Sequence, residues 1–399
     1  MPYLGADDSA GLLREYDGKM MEILGLRHRP SGVNTCFAGA GLSFAEYVQR
    51  AQDMLRLLHS GKNEQEKCVA GNAPFELLPG GNFEKGRNKP FRRGVLLIHG
   101  LSDSPYHMRH LAEFFRRNGF RVMAVLLPGH GTQPGDLLHV RWQEWAKTVA
   151  YGADCLSAEA DELYLAGFSA GAALSVLHAS RDKRVRGLFL FSPAFEINSR
   201  ARWANLHKLY SWLLPRTAWL SRMQDRDLYK YESFCKNAAA QMYALTQALP
   251  QGEVDIPVFA VASADDATVN SAATLRFMRR ARHACSRLVW YATEKTDLPK
   301  VEWVNSAVPE QRILSSAHTA IVVSPEDEHY GAAGGYGNCL HYLPNNPAGY
   351  AACRARAAEV WQGEVHERNL KHGVLRRLMY NPHYAAMEAS MRKFIEGLP

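Results

Sequence analysis

Residues 163–180 read LYLAGFSAGAALSVLHAS. An apolar run ends in Gly167-Phe168-Ser169-Ala170-Gly171, and a segment rich in alanine and leucine follows. The string G-x-S-x-G is weak by itself, because short strings of common residues recur by chance. Its position carries more. A buried strand runs into it and a helix leaves it, which is the arrangement a nucleophile elbow requires. The sharp turn crowds the backbone, so small residues are expected at Gly167 and Gly171. Ser169 would stand above the C-terminal edge of a sheet, with the positive end of the next helix aimed at the same spot. The competing reading is a small residue in an ordinary Gly-Ser turn.

Working outward, the same rhythm recurs. VLLIHG (95–100) is a continuous apolar run closed by glycine, as expected of a strand buried on both faces. A helix is predicted over 107–119, a strand over 121–127, a helix over 142–160, a strand over 162–168 and another over 184–192. Further on, PVFAVASA (257–264) and SRLVWYA (286–292) read as strands flanking a helix at SAATLRFMRRAR. The closing segment NPHYAAMEASMRKFIEGL has Asn381 as N-cap and Pro382 at the first helical position. Short apolar strands alternating with helices predict the α/β class, with a mostly parallel central sheet flanked by helices. Two segments break the rhythm: 194–250, read as a helical insertion without strand-like runs, and 333–378, a Gly/Asn/Pro loop and then a helix. Ahead of the sheet, Ser43 and Glu46 form a capping box for a helix over 44–59. Residues 1–35 are uninformative, and 60–92 is rich in Gly, Asn, Pro and Lys and reads as extended or loop.

The chain has 399 residues, 47% hydrophobic and 22% charged, which is ordinary globular composition and excludes a disordered chain or a fibre. The net charge of +7 is spread over single helix turns. No basic stripe with a nucleic-acid module accompanies it, so no nucleic-acid partner is expected; weak attraction to an anionic membrane surface remains open. Seven scattered cysteines without a CxxC pair suit a reducing compartment and a cytoplasmic location, with a Cys339–Cys353 bond left open. The N-terminus as written has no apolar core of a signal peptide. There is no HExxH, Walker A string or paired CxxC, so no metal site and no cofactor are expected.

A serine hydroxyl needs a base, and the base needs an acid. In this kind of sheet the chain order is Ser, Asp or Glu, then His. The strand ending at Ser263 opens into Ala264-Asp265-Asp266-Ala267-Thr268-Val269, at the same sheet edge as Ser169. Asp266 is the preferred acid, because Asp-x-x-Val is the commoner form of that turn, and Asp265 is the reserve. Later histidines are 283, 318, 329, 341, 366, 372 and 383. His318, in Ser315-Ser316-Ala317-His318-Thr319-Ala320-Ile321, has the small and apolar neighbours of a loop above a sheet; His329 is the runner-up. An oxyanion hole would take the Ala170 N–H and the Leu101 N–H. His99 and His130 lie in turns and read as structural hydrogen-bonders.

VLLIHGLSDSP, LLPGHGT, GFSAG, ASADDATV and SSAHTAI, in this order, make residues 91–325 and the last helix resemble an α/β-hydrolase of the monoacylglycerol lipase, lysophospholipase and carboxylesterase group. The resemblance implies an α/β-hydrolase core over 91–193 and 251–399, a helical cap at 194–250 and an N-terminal helical or extended extension at 1–90. It implies a Ser169–His318–Asp266 triad acting through an acyl-enzyme on a carboxylic ester with an apolar acyl group. Small-molecule esters or lipids would be the substrate, with Trp203, Tyr210 and Trp212 of the cap as candidate contacts. A thioesterase, amidase or acyltransferase would use the same triad, and a non-catalytic binding protein is the remote alternative. The first 70 residues and the long stretch after the His318 loop depart from the family pattern. Oligomeric state is not legible.

Overall fold

The computed structural model describes residues 25–399 except 62, 82, 210, 212, 344 and 356–359. Helix α1 (Phe44–Leu58) begins as its capping box predicts: Ser43 Oγ accepts the Glu46 N–H at 3.3 Å and Glu46 Oε2 accepts the Ser43 N–H at 2.8 Å. Helix α2 (Gln65–Asn72) and strand β1 (Phe75–Leu77) follow, in a stretch expected to be extended or loop. Next come β2 (Phe91–Ile98), α3 (Arg109–Arg117), β3 (Phe120–Val125), α4 (Trp142–Glu159), β4 (Ala160–Phe168), α5 (Ala170–Ala179) and β5 (Val185–Phe191). The 194–250 segment holds a 3-10 stretch (Ser199–Leu209), a short antiparallel pair β6 (Trp219–Ser221) and β7 (Phe234–Cys235), and α6 (Lys236–Gln247). It is thus less helical than its Trp- and Leu-rich composition suggested. The chain then forms β8 (Val258–Ser263), α7 (Ala272–Arg280), β9 (Arg287–Ala292) and β10 (Val301–Asn305).

The main sheet has eight strands in the order β1-β3-β2-β4-β5-β8-β9-β10. Only β1 pairs antiparallel, with β3. The sheet is packed on both faces, which is why the C-terminal parts of its central strands are continuous apolar runs. Alternate residues of β2 go to opposite sides: Leu96 and Ile98 join the core under α4 and α5, while Val95 and Leu97 join a core with Phe115, Phe189 and Phe394. All are sealed from solvent, and truncating any one to alanine would cost about 2–5 kcal/mol. The C-terminal ends of β2, β4 and β8 therefore share one edge, and the loops leaving them share one floor.

After β10 the chain continues through α8 (Pro347–Arg354), a parallel pair β11 (Trp361–Gly363) and β12 (Leu375–Arg377) with α9 (Glu367–Leu370) between them, and closes with α10 (Tyr384–Glu396). One expectation is corrected here. The closing helix starts at Tyr384 with His383 as N-cap, and Asn381 instead ties the segment down. Its Oδ1 accepts the His383 N–H at 2.9 Å and its Nδ2 donates to Tyr291 and to the Ile321 carbonyl. Cys339 and Cys353 are bonded, with Cα atoms 6.0 Å apart. This is the bond that the cysteine count left open. Among the described residues, no helix is long and apolar enough to cross a membrane.

Candidate active site

Ser169 follows β4 directly and caps α5. Its φ of 54° and ψ of −112° lie outside the regions a non-glycine residue normally adopts, a strain that clusters at functional sites. The turn is held by the Ser169 N–H donating to the Phe191 carbonyl at 2.9 Å. The two flanking glycines are explained by close approach. A Cβ on Gly167 would lie 2.3 Å from the Gly171 carbonyl carbon and oxygen, and one on Gly171 would lie 2.1 Å from the Ile98 oxygen.

His318 reaches Ser169 from the loop beyond β10. Its Nε2 is 2.9 Å from Ser169 Oγ and its Nδ1 is 2.6 Å from Asp266 Oδ2. The tautomer that satisfies both contacts carries its proton on Nδ1, donating to the carboxylate, and accepts the serine hydroxyl at Nε2. All three side chains are nearly sealed from solvent. Asp266 Oδ1 accepts the Thr268 and Val269 N–H groups at 2.8 and 3.0 Å. Burial pushes this carboxyl up, but the facing His318 and the two amides outweigh it and hold the pKa below its ordinary value.

The reserve residues go elsewhere. Asp265 pairs with Arg368 and accepts the Ser306 hydroxyl at 2.6 Å. His329 Nε2 is 3.1 Å from Asp227 Oδ1, inside a cluster of tyrosines. His99 Nε2 accepts the Leu127 N–H at 3.1 Å and His130 Nδ1 lies 3.0 Å from the Pro128 carbonyl. Burial depresses both imidazoles, to about 3 for His99 and about 4 for His130, so both are neutral hydrogen-bonding groups at pH 7.

Leu101 lines the cavity beside Ser169, and Ala170 opens α5, whose first N–H groups have no acceptor within the helix. The loop after β2 is clamped from the 194–250 segment: the Tyr231 N–H donates to the Ser102 carbonyl at 2.8 Å, and Lys230 Nζ pairs with Asp103. Burial raises the Asp103 carboxyl, but Lys230 beside it holds the pKa below its usual value. The cavity measures about 630 Å³, within the range of small-molecule sites. Ile197, Trp203, Leu220, Phe234, Met242 and Val269 make much of its wall. Of the three aromatic residues expected to contact substrate, Trp203 lines the cavity; Tyr210 and Trp212 lie outside the described residues. Among the described residues, no cluster of three or more His, Cys, Asp or Glu is placed to hold a metal ion.

Sequence reasoning did not single out Lys230, Glu364 or Arg377. Lys230 had no motif around it, and Glu364 and Arg377 lie in the segment that broke the α/β rhythm.

The family model described as "Serine aminopeptidase, S33" matches residues 89–294, just over half of the chain. The chain belongs to that α/β-hydrolase family. The thermostable monoacylglycerol lipase of Bacillus sp. (strain H-257) is 31% identical over 135 residues, which is 34% of this chain and 50% of the relative. The carboxylesterase of Bacillus subtilis (strain 168) is 32% identical over 94 residues, 22% of this chain and 38% of the relative. The chain therefore spans half or less of the length of these two relatives. A solved structure from the metagenome-derived lipolytic enzymes LipS and LipT is 22% identical and covers 55% of this chain and 87% of that one, with a TM-score of 0.46.

Proposed function

We propose that the protein is a serine hydrolase that cleaves carboxylic esters with an apolar acyl group, such as monoacylglycerols or lysophospholipids. The observation that carries this is the unbroken hydrogen-bond chain from Ser169 Oγ through His318 to Asp266, with Ser169 and His318 on the wall of a largely apolar cavity. Ser169 Oγ attacks the acyl carbon while its proton passes to His318 Nε2. The Ala170 and Leu101 N–H groups hold the oxyanion, and Asp266 stabilises the imidazolium. Collapse breaks the ester C–O bond, and the Nε2 proton goes to the leaving alcohol. Water then attacks the acyl-Ser169 ester, gives its proton to Nε2, and releases the carboxylic acid as Ser169 Oγ regains a proton. Residues 194–250 serve as the cap and shape the acyl site. The chemistry needs no cofactor.

The family description and the shared triad raise amide cleavage as a second reading. An aminopeptidase must hold the substrate's α-ammonium group with an acceptor, usually a carboxylate. Among the described residues the one carboxylate on this cavity wall, Asp103, is already paired with Lys230, while Arg200 and Lys236 also line the cavity. That charge balance favours the ester. The test is hydrolysis of p-nitrophenyl esters from acetyl to palmitoyl alongside aminoacyl p-nitroanilides, with Ser169→Ala as control. Ester turnover that peaks at one chain length and vanishes in Ser169→Ala is expected. Anilide turnover exceeding ester turnover would overturn the ester reading, and fluorophosphonate labelling would still report whether Ser169 is nucleophilic.

A further inference from the structure

Beyond His318 the chain does not return directly to α10. It folds back onto the segment that carries the base. The Leu314 N–H donates to the Gln362 carbonyl and the Gln362 N–H to the Arg312 carbonyl, both at 2.8 Å. The Glu364 N–H donates to Ser315 Oγ at 3.0 Å. The Glu364 side chain is buried behind the base, and its Oε2 accepts the His318 backbone N–H at 3.1 Å. Arg377 faces it, with Nε 2.7 Å from Oε1 and a terminal nitrogen donating to Oε2 at 2.9 Å. Arg377 also donates to Thr268 Oγ1 at 2.7 Å, and the Thr268 N–H is one of the two amides that hold Asp266. One ion pair thus grips the segment bearing the base and the turn bearing the acid.

A buried ion pair is poor value as a stabiliser, because desolvation offsets the attraction. Its placement here has another consequence. We propose that Glu364 and Arg377 are positioning residues that set the orientation and the proton affinity of the His318–Asp266 couple. This rests on the ester-hydrolase reading above. The carboxylate behind His318 attracts positive charge on the ring, while the guanidinium on the Asp266 turn repels it, so the two act in opposite senses. The other charges near the couple are Asp265, paired with Arg368 beyond the acid turn, Lys230, paired with Asp103 across the cavity, and Arg200 and Lys236 on the cavity wall; none of these is altered in the variants below. Removing one member of the Glu364–Arg377 pair unmasks the charge of the other.

The test is the pH profile of kcat/KM on a p-nitrophenyl ester, with active sites counted by fluorophosphonate titration and folding checked by thermal melting. Glu364→Gln should move the acidic limb to lower pH by about one unit, the order expected for one unmasked charge several ångström away. Arg377→Met should move it to higher pH. Arg377→Lys, which keeps the charge and loses the two-pronged contact, should lower kcat and leave the limb in place. Glu364→Gln/Arg377→Met should return the limb toward wild type while kcat stays low. Lower activity with an unmoved limb in both single variants would reduce the pair to packing and overturn the proposal, as would wild-type profiles throughout. If Glu364→Gln fails to fold, the comparison of Arg377→Lys with Arg377→Met decides, and equal shifts in those two overturn it. Ester turnover surviving in Ser169→Ala would sink the underlying reading instead.

Discussion

Replacing Gly171 with alanine puts the elbow's geometry to a test whose sign runs against local propensity. Gly171 lies in the first turn of α5, where alanine would ordinarily gain about 1 kcal/mol of helix stability. The new Cβ, however, would sit 2.1 Å from the Ile98 oxygen, 2.6 Å from the Ile98 carbonyl carbon and 2.7 Å from the His99 oxygen. All three are backbone atoms, so no rotamer can clear the space. Reaching ordinary contact near 3.4 Å requires a displacement of about 1.3 Å, the difference between that distance and 2.1 Å. Strand β2 cannot move easily, since it is hydrogen-bonded to β3 on one side and β4 on the other. The helix and Ser169 must give instead. Overpacking of this kind costs about 1–3 kcal/mol beyond the propensity gain. A nucleophile misplaced by about 1 Å loses on the order of 10²-fold in rate. Urea unfolding at pH 7, kcat/KM on p-nitrophenyl butyrate and the rate of fluorophosphonate labelling measure these effects. Gly252→Ala is the control, because nothing lies within 4 Å of its Cβ position, and it should stay within about 0.5 kcal/mol of wild type. A Gly171→Ala protein as stable as wild type and labelled as fast would refute the argument.

The two aspartates of the turn should separate cleanly: Asp266→Asn should lower kcat by on the order of 10³–10⁴-fold, while Asp265→Asn should lower the melting temperature and leave kcat within about tenfold of wild type. Steady-state kinetics and thermal melts of both variants check this. Stability should fall with acid below neutrality because of His99 and His130. Their folded pKa values, about 3 and about 4, lie below the unfolded value near 6.5, so the unfolded chain binds the extra protons and stability present above pH 6.5 is lost as pH falls toward 4. Urea unfolding at pH 7 and pH 4.5 should differ by about 3–5 kcal/mol, and a flat profile would contradict the burial of these rings. Breaking the Cys339–Cys353 bond, which closes a loop of sequence separation 14, should cost about 3 kcal/mol of stability in that segment. Melting of Cys339→Ser/Cys353→Ser beside wild type reads it, and identical curves would show that the bond constrains nothing.

What could be read from the sequence follows from what burial does to pattern. Strands β2, β4, β5, β8 and β9 are covered on both faces over their C-terminal parts, so each carries an apolar run that stands out. Strand β10 is an edge strand with Glu302 and Asn305 exposed, and its alternation is too short to separate from loop. Strand β1 carries three half-buried residues in a stretch dominated by Gly, Asn and Lys, and only its pairing with β3 makes it a strand. The meeting of Ser169, Asp266 and His318 was legible because chain order and sheet edge constrain it. Glu364 and Arg377 were not, because their relation to His318 depends on a backbone return that no local pattern announces.

That return addresses a problem the core alone leaves open. The family match ends at residue 294, yet His318 lies beyond it, and β10 lies between. A base at the tip of a long connection carries the entropy of that connection unless something orders it. Here the ordering is distributed. Gln362 is bonded through its backbone to Leu314 and Arg312, Ser192 Oγ donates to the His318 carbonyl at 3.1 Å, and Asn369 donates to Ser315 Oγ at 2.9 Å. These contacts are largely indifferent to charge, so they can hold a loop but cannot tune a base. Glu364 and Arg377 differ in that respect, since each adds a full charge within the same frame. If ordering were all that the site required, uncharged partners such as Ser315 and Asn369 would suffice at every position. Ser315→Ala therefore makes the natural counterpart to Glu364→Gln. It leaves the Asn369 amide and the Glu364 N–H short of a buried acceptor, so it should destabilise by about 1–3 kcal/mol. Because no charge is unmasked, the acidic limb of its kcat/KM profile should coincide with that of wild type. A limb displaced in Ser315→Ala as far as in Glu364→Gln would mean that loop order, not charge, sets the proton affinity of His318.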